Sequence, residues 1–402
     1  MDTLQLDSRT QINRISNREL IYLIAVANFM IACLLELTIL WAEDSTGILS
    51  KLTTGLKFLS MILCALKLVV QEYSKSTLAL TILVLALFFA GMILTGNVYI
   101  FMCAVLVLAA KDCNREDVLV TTFMVQALIL TFFTVMSLNG VITNYDFTID
   151  GRIRFGLGFA WCTTAPIIFY FLMLQYICLR KSKITIVELV LMETINLFFY
   201  KWTCTRMTFF VSTIFIFCFF VIRVWQNRFV KRRMKQHKIV LGVMISIPFV
   251  LSLISYFTSY LYNENKEIWI DLNYFLSNRL RLGKSAIDEF GISFFARRIE
   301  WIGSSALGIE PDGYNYVDSS YLQLLLNYGI LIFLCILALY CYGIYKMNLE
   351  RDLFIEIVIL FVLIHSLTEP RLINIAFNPL FILFFCESKH AGNKVICENT
   401  DI

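Results

Sequence analysis

The sequence predicts an all-α integral membrane protein with about 12 transmembrane helices and one large extracytoplasmic loop. Three observations carry that expectation. Hydrophobic residues make up 59% of the 402-residue chain and charged residues only 16%, against about 25% charged in an ordinary soluble domain. A soluble fold of this length would need far more polar surface than that supplies. The apolar residues also fall in long runs, many near the roughly 20 residues a helix needs to cross a bilayer. Finally, five prolines in 402 residues exclude a disordered or collagen-like chain.

The first nineteen residues are polar, with Arg9, Arg14 and Arg18, and no small-residue cleavage site follows them. They read as a cytoplasmic tail rather than a signal peptide. Spans are expected near 20–40, 48–70, 77–94, 97–110, 118–137, 159–179, 184–200, 207–225, 239–261, 322–342, 353–367 and 373–386. Twelve spans put both termini on one side, and residues 1–402 form a single polytopic domain. Most connections are short, but 138–158 runs to about twenty residues and 262–321, between the ninth and tenth spans, to sixty. The chain carries no internal repeat, which argues against a transporter built from two matching halves.

Orientation follows from lysine and arginine. The tail and the even-numbered loops, including Arg180-Lys181-Ser182-Lys183 and the stretch Arg228 to Lys238, hold most of the basic residues, so that side is cytoplasmic. The opposite loops hold eleven basic residues, of which eight are arginines: Arg152, Arg154, Arg206, Arg279, Arg281, Arg297, Arg298 and Arg371. Arginine in this excess suits planar, bidentate recognition of phosphate or carboxylate.

Twelve cysteines do not make a disulfide or metal framework. Cys33, Cys64, Cys103, Cys178, Cys218 and Cys335 lie inside apolar segments, and no Cys/His spacing fits a metal. No nucleic-acid motif or phosphate loop is present.

Residues 271–290 read as one amphipathic helix on the outer surface, with Leu272, Phe275, Leu276 and Leu280 on its apolar face and Arg281, Lys284 and Asp288 on its polar one. Arg279 falls on the apolar side, where it needs an anion or a salt bridge. Arg297 and Arg298 precede the glycine-rich stretch Gly303 to Gly313, an arrangement open to an anion, with Glu300 as a local partner. Ser320 and Gln323 fit a capping box that opens the tenth span, and Asp318 suits a helix N-terminus or a sugar hydroxyl. His365 and Glu369 stand four apart at the end of the eleventh span, which places imidazole and carboxylate on one helix face. That pair reads as a general base or as a structural pair; His237 and His390 are cytoplasmic. Lys57, Glu188, Glu193 and Glu356 within spans suit either a polar path or interhelical pairs.

Taken together, Asn273-x5-Arg279-Leu280, Phe290-Gly291, the glycine-rich stretch, and Val317-Asp318-x2-Tyr321-Leu322-x6-Gly329-Ile330 resemble the Wzy-type polymerases of capsule, exopolysaccharide and O-antigen repeat units, relatives of the O-antigen ligases. Arg154-Phe155-Gly156-Leu157-Gly158-Phe159, Thr205-Arg206, His365-x3-Glu369 and the Arg297-x15-Gly313 spacing extend the resemblance through most of the chain. The sequence departs from it at Ala160-Trp161-Cys162 and Phe295-Ala296.

The resemblance implies a GT-C-like arrangement in the cytoplasmic membrane, with both termini cytoplasmic and the active site on the outer face. It implies metal-independent, cofactor-free glycosyl transfer from a glycan on undecaprenyl diphosphate to a lipid-linked repeat unit. Arg154, Arg206, Arg279 and Arg297 would hold the diphosphates. His365 or Glu369 would activate the acceptor, and Asp318 would touch sugar or cap its helix. A chain-length regulator and a flippase would be partners, and nucleic acid would not. The alternatives are a ligase-like transferase and a lipid-linked oligosaccharide flippase or transporter.

Overall fold

A computed structural model describes residues 16–44, 47–149, 151–225, 238–303 and 313–388. Ser16 opens the first helix, α1 (Asn17–Leu35), by accepting a hydrogen bond from the Glu19 N–H. A short α2 (Ile39–Glu43) follows, then α3 (Ile48–Val70), α4 (Lys75–Thr95), α5 (Val98–Ala109) and α6 (Arg115–Leu138). Two strands, β1 (Asp146–Ile149) and β2 (Arg152–Phe155), form an antiparallel hairpin with Asp146 opposite Phe155. The chain continues through α7 (Thr164–Arg180), α8 (Ile186–Thr203), α9 (Arg206–Val224) and α10 (Lys238–Tyr260). After α11 (Glu267–Phe275) and α12 (Arg279–Phe290) come α13 (Ser320–Leu349), α14 (Leu353–His365) and a 3-10 stretch, Pro379–Phe384.

Seven of these helices, α1, α3, α4, α6, α9, α10 and α13, are long and apolar enough to cross a membrane. The chain is therefore largely helical, with the helices of a multi-pass membrane protein. Their outward faces agree: α4 leaves Leu80, Leu83 and Ile93 exposed, and a helix apolar all round needs hydrocarbon around it. In contrast, α7 buries nearly every side chain from Thr164 to Cys178 and packs against α6, α8, α9 and α14.

Three expectations change. The all-α reading missed the hairpin, whose return is permitted by Gly151 at φ +70°. The single helix over 271–290 is two helices, because Ser277 and Asn278 take left-handed backbone at φ +54° and +64°. Asn273 secures the break: its Oδ1 accepts from the Arg281 N–H and its Nδ2 donates to Asn278 Oδ1. The proposed last span, 373–386, contains no α-helix. Asn378 before Pro379 has φ −112° and ψ 73°, as expected where proline disfavours helical backbone in the residue before it.

The non-helical stretch 366–378 is nonetheless largely buried, so its carbonyls need partners from within the protein. Neighbouring side chains provide them. Gln126 Nε2 donates to the carbonyls of Ala376 (2.6 Å) and Phe377 (2.9 Å). Tyr340 and Asn378 both donate to Leu372 O at 2.7 Å, and Ser320 Oγ donates to Glu369 O at 2.7 Å. Gln175 in turn donates to Gln126 Oε1, so two helices hold the amide in place.

α13 is interrupted at Gly329, with φ +71° and ψ 174°. A Cβ there would lie 2.5 Å from Phe295 O. The break lets the segment before α13 dock: Ile330 N–H donates to Ser293 O and Arg297 N–H to Asn327 O.

At the bundle end opposite the hairpin, Arg115 and Glu350 form a bidentate pair at 2.5 and 3.1 Å, with Arg115 only 4% exposed. Removing one partner from such a pair costs roughly 3–5 kcal/mol. Arg115→Met is expected to lower the thermal midpoint in detergent sharply, and adding Glu350→Met to recover most of the loss.

Candidate functional site

The expected site residues lie at the hairpin end, where α13 begins and α14 ends. His365 is the last residue of α14, and Ser366 caps the helix, so Glu369 falls beyond it. The same-face pairing expected from their spacing is therefore absent; only the Glu369 N–H reaches His365 O, at 3.1 Å. The His365 ring is fully buried, stacked on Tyr170 at 4.3 Å, with Nε2 3.5 Å from Thr208 Oγ1.

Glu369 is 4% exposed and accepts from Arg279 Nη2 at 3.1 Å. Burial raises its carboxyl pKa, and Arg279 works against that rise. Arg279 is itself almost fully committed. Its Nη2 also lies 3.5 Å from Asp318 Oδ2, Nε donates to Thr368 O at 2.8 Å, and Nη1 to Leu276 O at 3.2 Å. Asp318 thus completes an ion triad rather than standing free. The capping box expected from Ser320 and Gln323 does not form. Ser319 is the N-cap residue, without a side-chain cap bond, and Ser320 Oγ bridges Glu369 O and the Leu372 N–H.

Arg297 is committed in the same way. Its Nε donates to Leu326 O, while Nη1 and Nη2 donate to Phe290 O and Gly291 O, which end α12. Arg298 pairs with Glu300 at 3.1 Å, and both are exposed. The glycine-rich stretch between them and Gly313 lies outside the described residues at 304–312, as do the tail through residue 15, the basic stretch 226–237, His237 and His390. The charged residues within spans are paired. Lys57 meets Glu36, Glu188 meets Arg180 at 2.9 Å and closes a capping box with Thr185, and Glu193 accepts from Thr213. Glu356 lies 3.5 Å from Asn348 Nδ2.

Three other arginines at this end form no ion pair among the described residues. Arg154, on β2, has a buried Nε without a hydrogen-bond partner. It lies beside the thiol of Cys162. Arg206, the first residue of α9, forms no ion pair among the described residues and precedes Thr208, the neighbour of His365, by two residues. Arg371 has a buried, unpartnered Nε, and its guanidinium lies 4.4 Å above the Phe377 ring. Sequence reasoning placed Arg371 among the outer arginines but assigned it no role. Its signal was the proline before it, which helps end the helix and turn the chain inward.

Two cavities open at this end and share Asn97 and Tyr99. One of about 500 Å³ includes Lys57 and Glu300; the other, of about 180 Å³, includes Gln323 and Arg371.

Arg297→Ala would leave three carbonyls without their charged donor, a loss of roughly 3 kcal/mol or more. It is expected to lower the thermal midpoint in detergent. Arg206→Ala, which breaks no such contact, is expected to leave the midpoint within a degree or two of wild type. Compared with known proteins, the chain matches no family model, no curated protein and no solved structure.

Proposed function

We propose that this protein is a multi-span glycosyltransferase of the cytoplasmic membrane that joins lipid-linked oligosaccharide repeat units on the outer face. One observation carries the reading. Arg154, Arg206 and Arg371 have no ion-pair partner among the described residues, and Arg371 lines an open cavity two residues along the chain from the buried carboxylate of Glu369. That arrangement suits a reaction whose leaving group is a diphosphate and whose nucleophile is a hydroxyl.

In this reading the donor is a glycan on undecaprenyl diphosphate, and its phosphates lie against Arg154 and Arg206. The acceptor enters from the cavity side, where Arg371 stands. The acceptor oxygen bonds to the donor's anomeric carbon as the bond from that carbon to the diphosphate oxygen breaks. The electron pair leaves on the diphosphate, whose charge the arginines stabilise. The hydroxyl proton passes to Glu369, a base held in place by Arg279 and, through it, Asp318. His365 is then a packing residue, and Arg297 holds the loop in place. The flippase and chain-length regulator belong to the same proposal as partners.

The test uses purified lipid-linked repeat unit and protein in membranes. Wild type is expected to make a polymer ladder. Arg154→Ala and Arg206→Ala should each slow it about 10²–10³-fold, the usual effect of removing one charge-stabilising donor. Ladders of normal rate in both variants would overturn the reading. Deleting the gene should leave single lipid-linked repeats. Full-length unligated polymer would instead mark a ligase, and repeats held on the cytoplasmic face a flippase.

The pH profile adds a check on Glu369. A base works only when ionised, so activity should fall as pH drops through its pKa. Burial places that limb above the ordinary carboxylate range. Glu369→Gln should leave almost no rate and no such limb.

A further inference from the structure

The smaller cavity carries a feature that glycosyl transfer alone does not require. Its volume is about 180 Å³, and a cavity of about 150 Å³ accommodates a benzene ring, so it suits one sugar ring. Trp301 and Tyr316 meet edge to face at 6.4 Å along its wall. Aromatic faces of this kind take the C–H face of a pyranose, as they take other apolar surface.

The polar wall is fixed by its own hydrogen bonds. Asn97 Nδ2 donates to Tyr328 Oη at 3.1 Å, and Tyr99 Oη donates to Asn374 Oδ1 at 3.0 Å. Two lining groups remain uncommitted: Gln323 Nε2 and Arg371 Nε are both buried and lack an acceptor. Both are donors, so the missing partner is a set of acceptor oxygens. No carboxylate stands among the described residues that line the cavity. Asp318 and Glu369 are held by Arg279, and Glu300, next to Trp301, is held by Arg298.

We propose that this cavity is a subsite for an acidic sugar, a hexuronic acid in the acceptor repeat unit, with its carboxylate on Arg371 and its ring against Trp301. A planar guanidinium with free donors matches a carboxylate in two parallel hydrogen bonds. The proposal rests on the polymerase reading and names the substrate class of its acceptor side. The diphosphate is assigned elsewhere, because Arg154 and Arg206 do not line this cavity.

The experiment measures binding, not turnover, by calorimetry on the full-length protein in nanodiscs. The probes are free glucuronic acid, its methyl ester, glucose and inorganic diphosphate. Glucuronic acid is expected to bind at least about tenfold more tightly than glucose or the methyl ester, the weight of one charge-assisted hydrogen bond. Arg371→Gln should remove that preference, and Gln323→Met should weaken glucuronic acid binding, with thermal midpoints like wild type in both.

Equal binding of glucose and glucuronic acid would overturn the proposal, as would no binding of any sugar probe. Competitive displacement of glucuronic acid by inorganic diphosphate would overturn it too, by making the cavity a diphosphate site. The readout separates this inference from the function it deepens. Protein that prefers glucuronic acid but never forms polymer keeps the subsite and removes the polymerase; protein that polymerises without the preference does the reverse.

Discussion

Thirteen residues of non-helical chain, 366–378, run largely buried through the bundle, and most of their backbone must find its partners within the protein. A buried carbonyl without a donor costs about as much as a lost hydrogen bond. The protein meets this cost from three helices at once: Gln126 on α6, Ser320 and Tyr340 on α13, and Cys103 on α5, whose Sγ lies 3.5 Å from Ile373 O. Non-helical chain of this kind is tolerated inside membrane proteins only where protein encloses it or where it lines a cavity. Here it carries Glu369 and Arg371, so the bonds that satisfy the backbone also fix two side chains of the proposed site.

The same constraint sorts the arginines. Arg279 and Arg297 look alike in sequence, as lone cations beside apolar residues in a long loop. Both turn out to be fasteners: Arg279 ties α12 to the 366–378 segment through Thr368 O and Glu369, and Arg297 ties the end of α12 to α13. A guanidinium has five donors, and one that spends three or four on the protein has little left for a phosphate. Arg154, on β2, Arg206, at the start of α9, and Arg371, within the 366–378 segment, form no ion pair among the described residues.

Much of the fold was legible from sequence because apolar length is a direct statement about a helix in a bilayer. α3 and α9 fall close to where the runs of apolar residues put them. The hairpin was not legible, since four-residue strands give too little alternation to read. Nor was the non-helical end of the chain, where Ile373, Ala376 and Phe377 look like span residues and only Asn374, Asn378 and Pro379 say otherwise. The candidate site was half legible: arginine bias drew attention to one end of the bundle, but partner choice depends on contacts such as Arg279 with Glu369, ninety residues apart.

The claim that uncommitted arginines, rather than loop arginines, face the lipid diphosphate is tested most directly by photocrosslinking. Undecaprenyl diphosphate carrying a photoreactive group next to its phosphates would be bound to the full-length protein in nanodiscs and the labelled peptides mapped. Labelling is expected on the peptides of β2 and the start of α9, which contain Arg154 and Arg206. Labelling confined to the peptide around Arg297 and Arg298, or to the opposite end around Arg115, would contradict it.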